Sequence, residues 1–224
     1  FGNSGVTSTA SGAATFDFFE DFTGGSLNLS TWDDQSGGTM TVSGGNLNIT
    51  SNGTDTGTIW LRGDTMNRSA AAAGSVYEYS PQIQQFGTQN DCSLNASLRY
   101  FGSNLLADPG NDQFGFDFYC NTSTSGYQAK GASRIDGNSL ESLPGPLSDL
   151  AYGASTMRYR FGIDNSGAYN TQEYSSDGIT WTQFESPDLR QYGTVDDPFT
   201  FIFFVGAGAG TQVQVPYLYR YKSG

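Results

Sequence analysis

Two stretches decide the fold: Asp91-Cys92-Ser93-Leu94-Asn95-Ala96-Ser97-Leu98-Arg99-Tyr100-Phe101 and Gln113-Phe114-Gly115-Phe116-Asp117-Phe118-Tyr119-Cys120. Between them lies Ala107-Asp108-Pro109-Gly110-Asn111-Asp112, a run of turn-forming residues. Placing Cys92 opposite Cys120 in an antiparallel pair sets Leu94 against Phe118, Ala96 against Phe116 and Leu98 against Phe114. That face is wholly apolar, as a core-facing ladder requires. The other face carries Ser93, Asn95, Ser97 and Arg99 against Tyr119, Asp117, Gly115 and Gln113. Side chains alternate with a period of two, so a slip of one residue would expose the whole apolar set. Register, a Cys92–Cys120 disulfide and a solvent-facing Asn95 sequon agree in this one hairpin. Two buried thiols are the other state open to a pair of cysteines.

The same period recurs outward from the hairpin. Met157, Tyr159, Phe161 and Ile163 alternate with Arg158 and Arg160, and Val213, Val215, Tyr217, Tyr219 and Tyr221 form a second alternating row. The tyrosines of that row would suit stacking on sugar rings, but core is the preferred reading. The segment Phe199-Thr200-Phe201-Ile202-Phe203-Phe204-Val205 is apolar on both faces, as in a central strand covered on each side. Turns such as Ser43-Gly44-Gly45-Asn46 and Ser176-Asp177-Gly178 fall at hairpin spacing. No helical period competes. The expectation is an all-β chain of about a dozen strands.

Composition narrows the function. The formal net charge is -12, with no histidine, and the only lysines are Lys130 and Lys222. Such a chain repels phosphate backbones, so nucleic acid is not an expected partner. Without imidazole, the histidine-dependent nucleophile arrangements are excluded. No run of 18 apolar residues predicts a membrane span. The start at Phe1, the two cysteines and six Asn-X-Ser/Thr sequons (Asn28, Asn48, Asn52, Asn67, Asn95, Asn121) suggest a secreted glycoprotein that has lost its leader and sits outside the cell or on its surface. Residues 1–15 are uncharged and nearly all small; they read as an N-terminal extension, either a linker or a strand that docks elsewhere. Residues 16–224 read as one domain.

Several segments, taken in order, resemble one superfamily. Phe19-Glu20-Asp21-Phe22-Thr23-Gly24 leads into Leu27-Asn28-Leu29-Ser30-Thr31-Trp32, then Gly45-Asn46-Leu47-Asn48-Ile49-Thr50. Later come Met157-Arg158-Tyr159-Arg160-Phe161, Tyr174-Ser175-Ser176-Asp177-Gly178-Ile179-Thr180-Trp181-Thr182 and Val215-Pro216-Tyr217-Leu218-Tyr219-Arg220-Tyr221. This series resembles the concanavalin A-like lectin/glucanase superfamily. The resemblance implies a jelly-roll β-sandwich of two antiparallel sheets, with a concave face that in relatives often binds glycans. Pro216 stands where relatives often carry an acidic residue that helps hold calcium, so no cofactor is expected and a structural calcium is not favoured.

Glucanases of that superfamily aim carboxylates into one cleft from a Glu-x-Asp-x-x-Glu strand. Here Glu20, Glu78, Glu141, Glu173 and Glu185 are scattered, and no catalytic residue is assigned. Asp112 and Asp117 would stand roughly 16 Å apart when extended, beyond the ~5–9.5 Å of a glycosidase pair. Asp108, Asn111 and Asp112 place three oxygen-bearing side chains in one loop, a set calcium would accept, but turn composition is the preferred explanation. Arg99, Asp117, Tyr119, Arg158 and Arg160 fall on outward faces and are the candidate glycan-facing residues. The function expected first is a non-catalytic structural subunit of an extracellular filament, sheath or adhesive appendage. It would self-assemble into a homopolymer by donating residues 1–15 to a neighbour's sheet edge. A carbohydrate-binding module or lectin is the alternative, and a glycoside hydrolase the second alternative.

Overall fold

A computed structural model describes residues 16–28, 32–34, 39–50, 57–67, 74–85, 93–100, 113–120, 126–135, 138–141, 147–153, 156–163, 170–185, 198–205 and 211–222. Among them there is no helix, and hence none long and apolar enough to cross a membrane. Eighteen strands are present among the described residues. The first six are β1 (Phe18–Glu20), β2 (Trp32–Asp34), β3 (Thr39–Ser43), β4 (Asn46–Thr50), β5 (Gly57–Asn67) and β6 (Ser75–Tyr79). Then come β7 (Gln82–Gln85), β8 (Ser93–Tyr100), β9 (Gln113–Cys120), β10 (Gly126–Ile135), β11 (Asn138–Glu141) and β12 (Leu147–Ala151). The last six are β13 (Arg158–Ile163), β14 (Asn170–Ser175), β15 (Thr182–Glu185), β16 (Pro198–Val205), β17 (Gln212–Val215) and β18 (Leu218–Lys222). The count exceeds the expected dozen because strands of three to five residues are too short to show alternation in sequence.

All pairings are antiparallel. One sheet runs β1-β18-β6-β13-β14-β15 and a second β11-β10-β9-β8-β16-β5-β2, with β12 also on β10. A four-stranded sheet, β3-β4-β17-β7, continues the first. Within it β17 pairs β7, just as β18 pairs β6. The ladder breaks at Ser80-Pro81 and Pro216-Tyr217, where proline has no N–H to donate. The result is a two-layer sandwich.

The β8–β9 hairpin has the expected register: Leu94 lies opposite Phe118, Ala96 opposite Phe116 and Leu98 opposite Phe114. Ser93 pairs with Tyr119, while Cys92 itself lies outside the described residues and Cys120 pairs across to Tyr127. The doubly apolar segment forms β16, held between β8 and β5 in the interior of its sheet. The Gly44-Gly45 turn joins β3 to β4 with Ser43 opposite Asn46.

One core cluster runs from Phe22 to Leu218. Tyr77, Tyr79, Tyr159 and Phe161 from the first sheet meet Phe116, Phe118, Phe201 and Phe203 from the second. Ring centroids lie 5.0 Å apart for Tyr77 and Phe201, and 4.8 Å for Phe118 and Tyr159. Such pairs add about 0.5–1.5 kcal/mol each beyond the area they bury. At one end Trp32 packs against Phe18, Phe22 and Phe203. Glu20 braces this end: its carboxylate accepts the Phe22 N–H at 3.0 Å and the Trp32 indole N–H at 3.3 Å. That bond steadies Phe22 at φ 50°, a left-handed backbone uncommon for a bulky residue.

The expected alternation at the C-terminal end is corrected. Val213, Val215 and Leu218 are buried, whereas Tyr217, Tyr219 and Tyr221 are only partly so. Pro216 and Tyr217 stand outside both ladders, so the period restarts after them and the tyrosines turn away from the core.

Strands β6 and β13 approach so closely that a Cβ on Gly162 would lie 2.0 Å from the Ser75 carbonyl oxygen. Gly162→Ala should therefore destabilise the fold by at least ~1–3 kcal/mol, read as a lowered urea midpoint with an unchanged m-value.

Candidate functional site

Burial of Tyr77 and Tyr79 on β6 and of Tyr159 and Phe161 on β13 sends the residues between them to the opposite face of the first sheet. In register, Phe19 (β1), Tyr219 (β18), Glu78 (β6), Arg160 (β13), Glu173 (β14) and Gln183 (β15) form one row across all six strands. At the usual strand spacing that row is about 24 Å long.

Its centre is charged. The Arg160 guanidinium donates to both Glu173 carboxylate oxygens, at 2.7 and 3.1 Å, a fork-on-fork geometry that holds both side chains. Arg158 reaches Glu78 at 3.6 Å, and the Tyr221 hydroxyl donates to the other Glu78 oxygen at 3.3 Å. Burial raises the Glu78 pKa and outweighs the attraction of Arg158, the Tyr221 hydrogen bond and the pull of Arg160. Burial, reinforced by the Glu78 carboxylate, also raises the Tyr217 and Tyr221 hydroxyls, so both are neutral at physiological pH.

Aromatic rings close both ends of this centre. Tyr219 stacks on Tyr217 at 4.4 Å, on Phe16 at 4.6 Å and on Phe19 at 5.1 Å. At the other end the Arg160 guanidinium lies 4.0 Å from the centroid of Trp181, a cation–π contact. Trp181 is placed by the β14–β15 turn. Ser175 Oγ accepts the Gly178 N–H at 2.8 Å, and Asp177 Oδ1 accepts the Ile179 and Thr180 N–H groups at 2.8 and 2.7 Å. Gly178 (φ +72°) lies beneath Arg158, where a Cβ would fall 2.6 Å from the guanidinium carbon.

The expected glycan-facing residues do not form one cluster. Arg158 and Arg160 join the row just described. Arg99 belongs to β8, opposite Gln113, while Asp117 and Tyr119 alternate along β9 with the core residues Phe116 and Phe118, all in the other sheet. Of the sequons, Asn28 is exposed. The Asn48 amide nitrogen donates to Ser43 Oγ at 3.1 Å, and its oxygen accepts from Gln214 at 3.0 Å. Asn67 ends β5 and Asn95 pairs with Asp117, while Asn52 and Asn121 lie outside the described residues. So do Asp108, Asn111 and Asp112. Among the described residues no group of three acidic, cysteine or histidine side chains is placed to hold a metal ion. Pro216 offers no side-chain oxygen, so the residues present do not reproduce a calcium ligand there. Sequence reasoning missed Glu78, Glu173 and Trp181. Glu173 and Trp181 flank a legible hairpin, and that was their only local signal.

A family model described as a domain of unknown function, DUF2341, matches residues 1–35. No curated protein sequence matches the chain. Among solved structures, a xylan β-1,4-xylosidase from Bacillus halodurans C-125 aligns at a TM-score of 0.64 and 11% identity, over 91% of this chain and 39% of that one. The catalytic domain of an endo-1,3-β-glucanase (laminarinase) from Thermotoga petrophila RKU-1 aligns at 0.63 and 10%, over 93% and 98%. The Emp47p carbohydrate recognition domain aligns at 0.63 and 13%, over 91% and 93%. The fold is thus that of the concanavalin A-like lectins and glucanases, a jelly-roll sandwich shared by enzymes and non-enzymes.

Two titrations check the site. The N–H groups of Ile179 and Thr180, with Ser175, lower the Asp177 pKa to about 2. Its stabilising effect on the turn is complete above the ordinary aspartate range and lost only as pH falls through about 2, which carboxyl NMR should record. Glu78 has the opposite sign: its raised pKa makes ionisation a cost to the folded state. Glu78→Gln should be more stable than the parent at pH 7, and the gain should vanish in thermal melts below the ordinary glutamate range.

Proposed function

We propose that the protein is a non-catalytic carbohydrate-binding module acting outside the cell, with the outer row of the six-stranded sheet as its binding face. The observation that carries this reading is the row itself: polar groups at its centre, hydroxyls able to donate and accept, and aromatic rings at both ends. Sugars present C–H faces to rings and hydroxyls to carboxylates and tyrosines, so such a strip matches an oligosaccharide. The fold neighbours include a carbohydrate recognition domain and two enzymes named for glycan substrates, which is consistent with this chemistry.

The arrangement of carboxylates supports binding without hydrolysis. A glycosidase needs one protonated carboxyl and one free carboxylate facing a common gap. Here Arg160 stands between Glu78 and Glu173, and Glu173 has both oxygens occupied by that guanidinium. Glu20 is committed to Phe22 and Trp32. Assembly through residues 1–15 falls on a segment outside the described residues, and the sequence alone motivates it.

Binding should appear on a glycan array, and Trp181→Ala should weaken it about tenfold, the loss of roughly 1.4 kcal/mol of ring contact. No reducing ends should be released from any bound polysaccharide. Released reducing ends would overturn the non-catalytic assignment, and unchanged affinity of the variant would move the site elsewhere.

A further inference from the structure

We propose that Arg160 is the positioning residue of the site: pinned by Glu173, it holds the Trp181 indole as a preformed platform for a sugar ring and does not itself bind the glycan. What the indole meets rests on the carbohydrate reading above; how the indole is held does not. The β14–β15 turn fixes the backbone ahead of Trp181 through the N–H groups of Gly178, Ile179 and Thr180. Those bonds leave the two side-chain torsions of the indole free. The Arg160 guanidinium, 4.0 Å from the ring centroid, supplies a contact that restrains them.

A guanidinium can restrain a ring only if it is itself held. Arg160 Nε and Nη2 donate to the two Glu173 oxygens at 2.7 and 3.1 Å, and Tyr221 adds a further side-chain hydrogen bond. Donors in the plane of the group engage the carboxylate and leave its flat face free to lie on an indole. The Arg160 side chain is 24% exposed, against 44% for Arg158, so its partners are within the protein. Strand β13 meets the same turn a second time, because the Arg158 guanidinium lies against Gly178. One face of the indole is thus covered by a cation, and the other is left for a ligand. A sugar that stacks there meets a ring already ordered, and binding loses less side-chain freedom.

The test joins NMR relaxation of the indole N–H groups, in 15N-labelled protein, with affinity electrophoresis in gels containing laminarin, xylan or galactomannan. The proteins compared are the parent, Arg160→Lys, Glu173→Gln, Trp181→Ala and the double variant of Arg160→Lys with Trp181→Ala. Lysine keeps the positive charge but has neither the fork nor the flat face. Glu173→Gln loosens the fork and leaves Arg160 unchanged. The signal missing from Trp181→Ala identifies the Trp181 indole. In the free parent that signal should relax like the rigid backbone, and its heteronuclear NOE should fall in Arg160→Lys and in Glu173→Gln. Both variants should weaken binding to the retarding glycan about threefold to tenfold. In the Trp181→Ala background, Arg160→Lys should cause no further loss, because the two side chains act as one unit. An unchanged indole signal in Arg160→Lys and Glu173→Gln overturns the positioning role. A loss of affinity that persists in the Trp181→Ala background makes Arg160 a ligand contact, which overturns the proposal and leaves the carbohydrate reading standing. No retardation of the parent in any gel overturns the carbohydrate reading and the sugar platform with it, and the relaxation data then decide by themselves whether Arg160 holds the ring.

Discussion

The packing of aromatic rings between the two sheets is the constraint on which the rest depends. Tyr79 alone contacts Phe118, Tyr159, Phe161, Phe201 and Phe203. Strand side chains alternate strictly, so fixing these rings inside leaves no freedom for the residues between them. Glu78 must face outward because Tyr77 and Tyr79 face inward, and Arg158 and Arg160 because Tyr159 and Phe161 do. The candidate site is in this sense the reverse side of the core.

That origin explains why charged groups remain half-buried at the surface. A carboxylate on a central strand is flanked by neighbouring strands and loses much of its water. Glu78 accordingly has a raised pKa despite two arginines nearby, whereas Asp177, on an exposed turn and held by backbone N–H groups, has a lowered one. Two carboxyl groups of similar intrinsic acidity are driven in opposite directions by desolvation in one case and hydrogen bonding in the other.

Pro216 links the core to the site. By interrupting the ladder between β17 and β18 it reverses the phase of the chain, so Leu218 enters the core and Tyr217, Tyr219 and Tyr221 turn outward. Had the period continued unbroken from Val213 and Val215, the row would have lost the tyrosines that flank Glu78.

How much of this was legible beforehand depended on whether a signal was local. The β8–β9 register could be read because alternation puts Leu94, Ala96 and Leu98 on one face with Phe114, Phe116 and Phe118, which forbids a slip of one residue, and the expected Cys92–Cys120 pairing set the alignment. The central position of β16 followed from its two apolar faces, and the β3–β4 turn from its paired glycines. The sequence by itself thus determined strand type, hairpin pairing and the all-β class, since each rests on a period of two or on a short turn. Only the tertiary structure decided that Phe19, Tyr219, Glu78, Arg160, Glu173 and Gln183 share one row. Strands β13, β14 and β15 follow one another, but β1, β18, β6 and β13 do not, and their adjacency is set by which apolar faces pack together across the sandwich, a choice that no local stretch of chain contains.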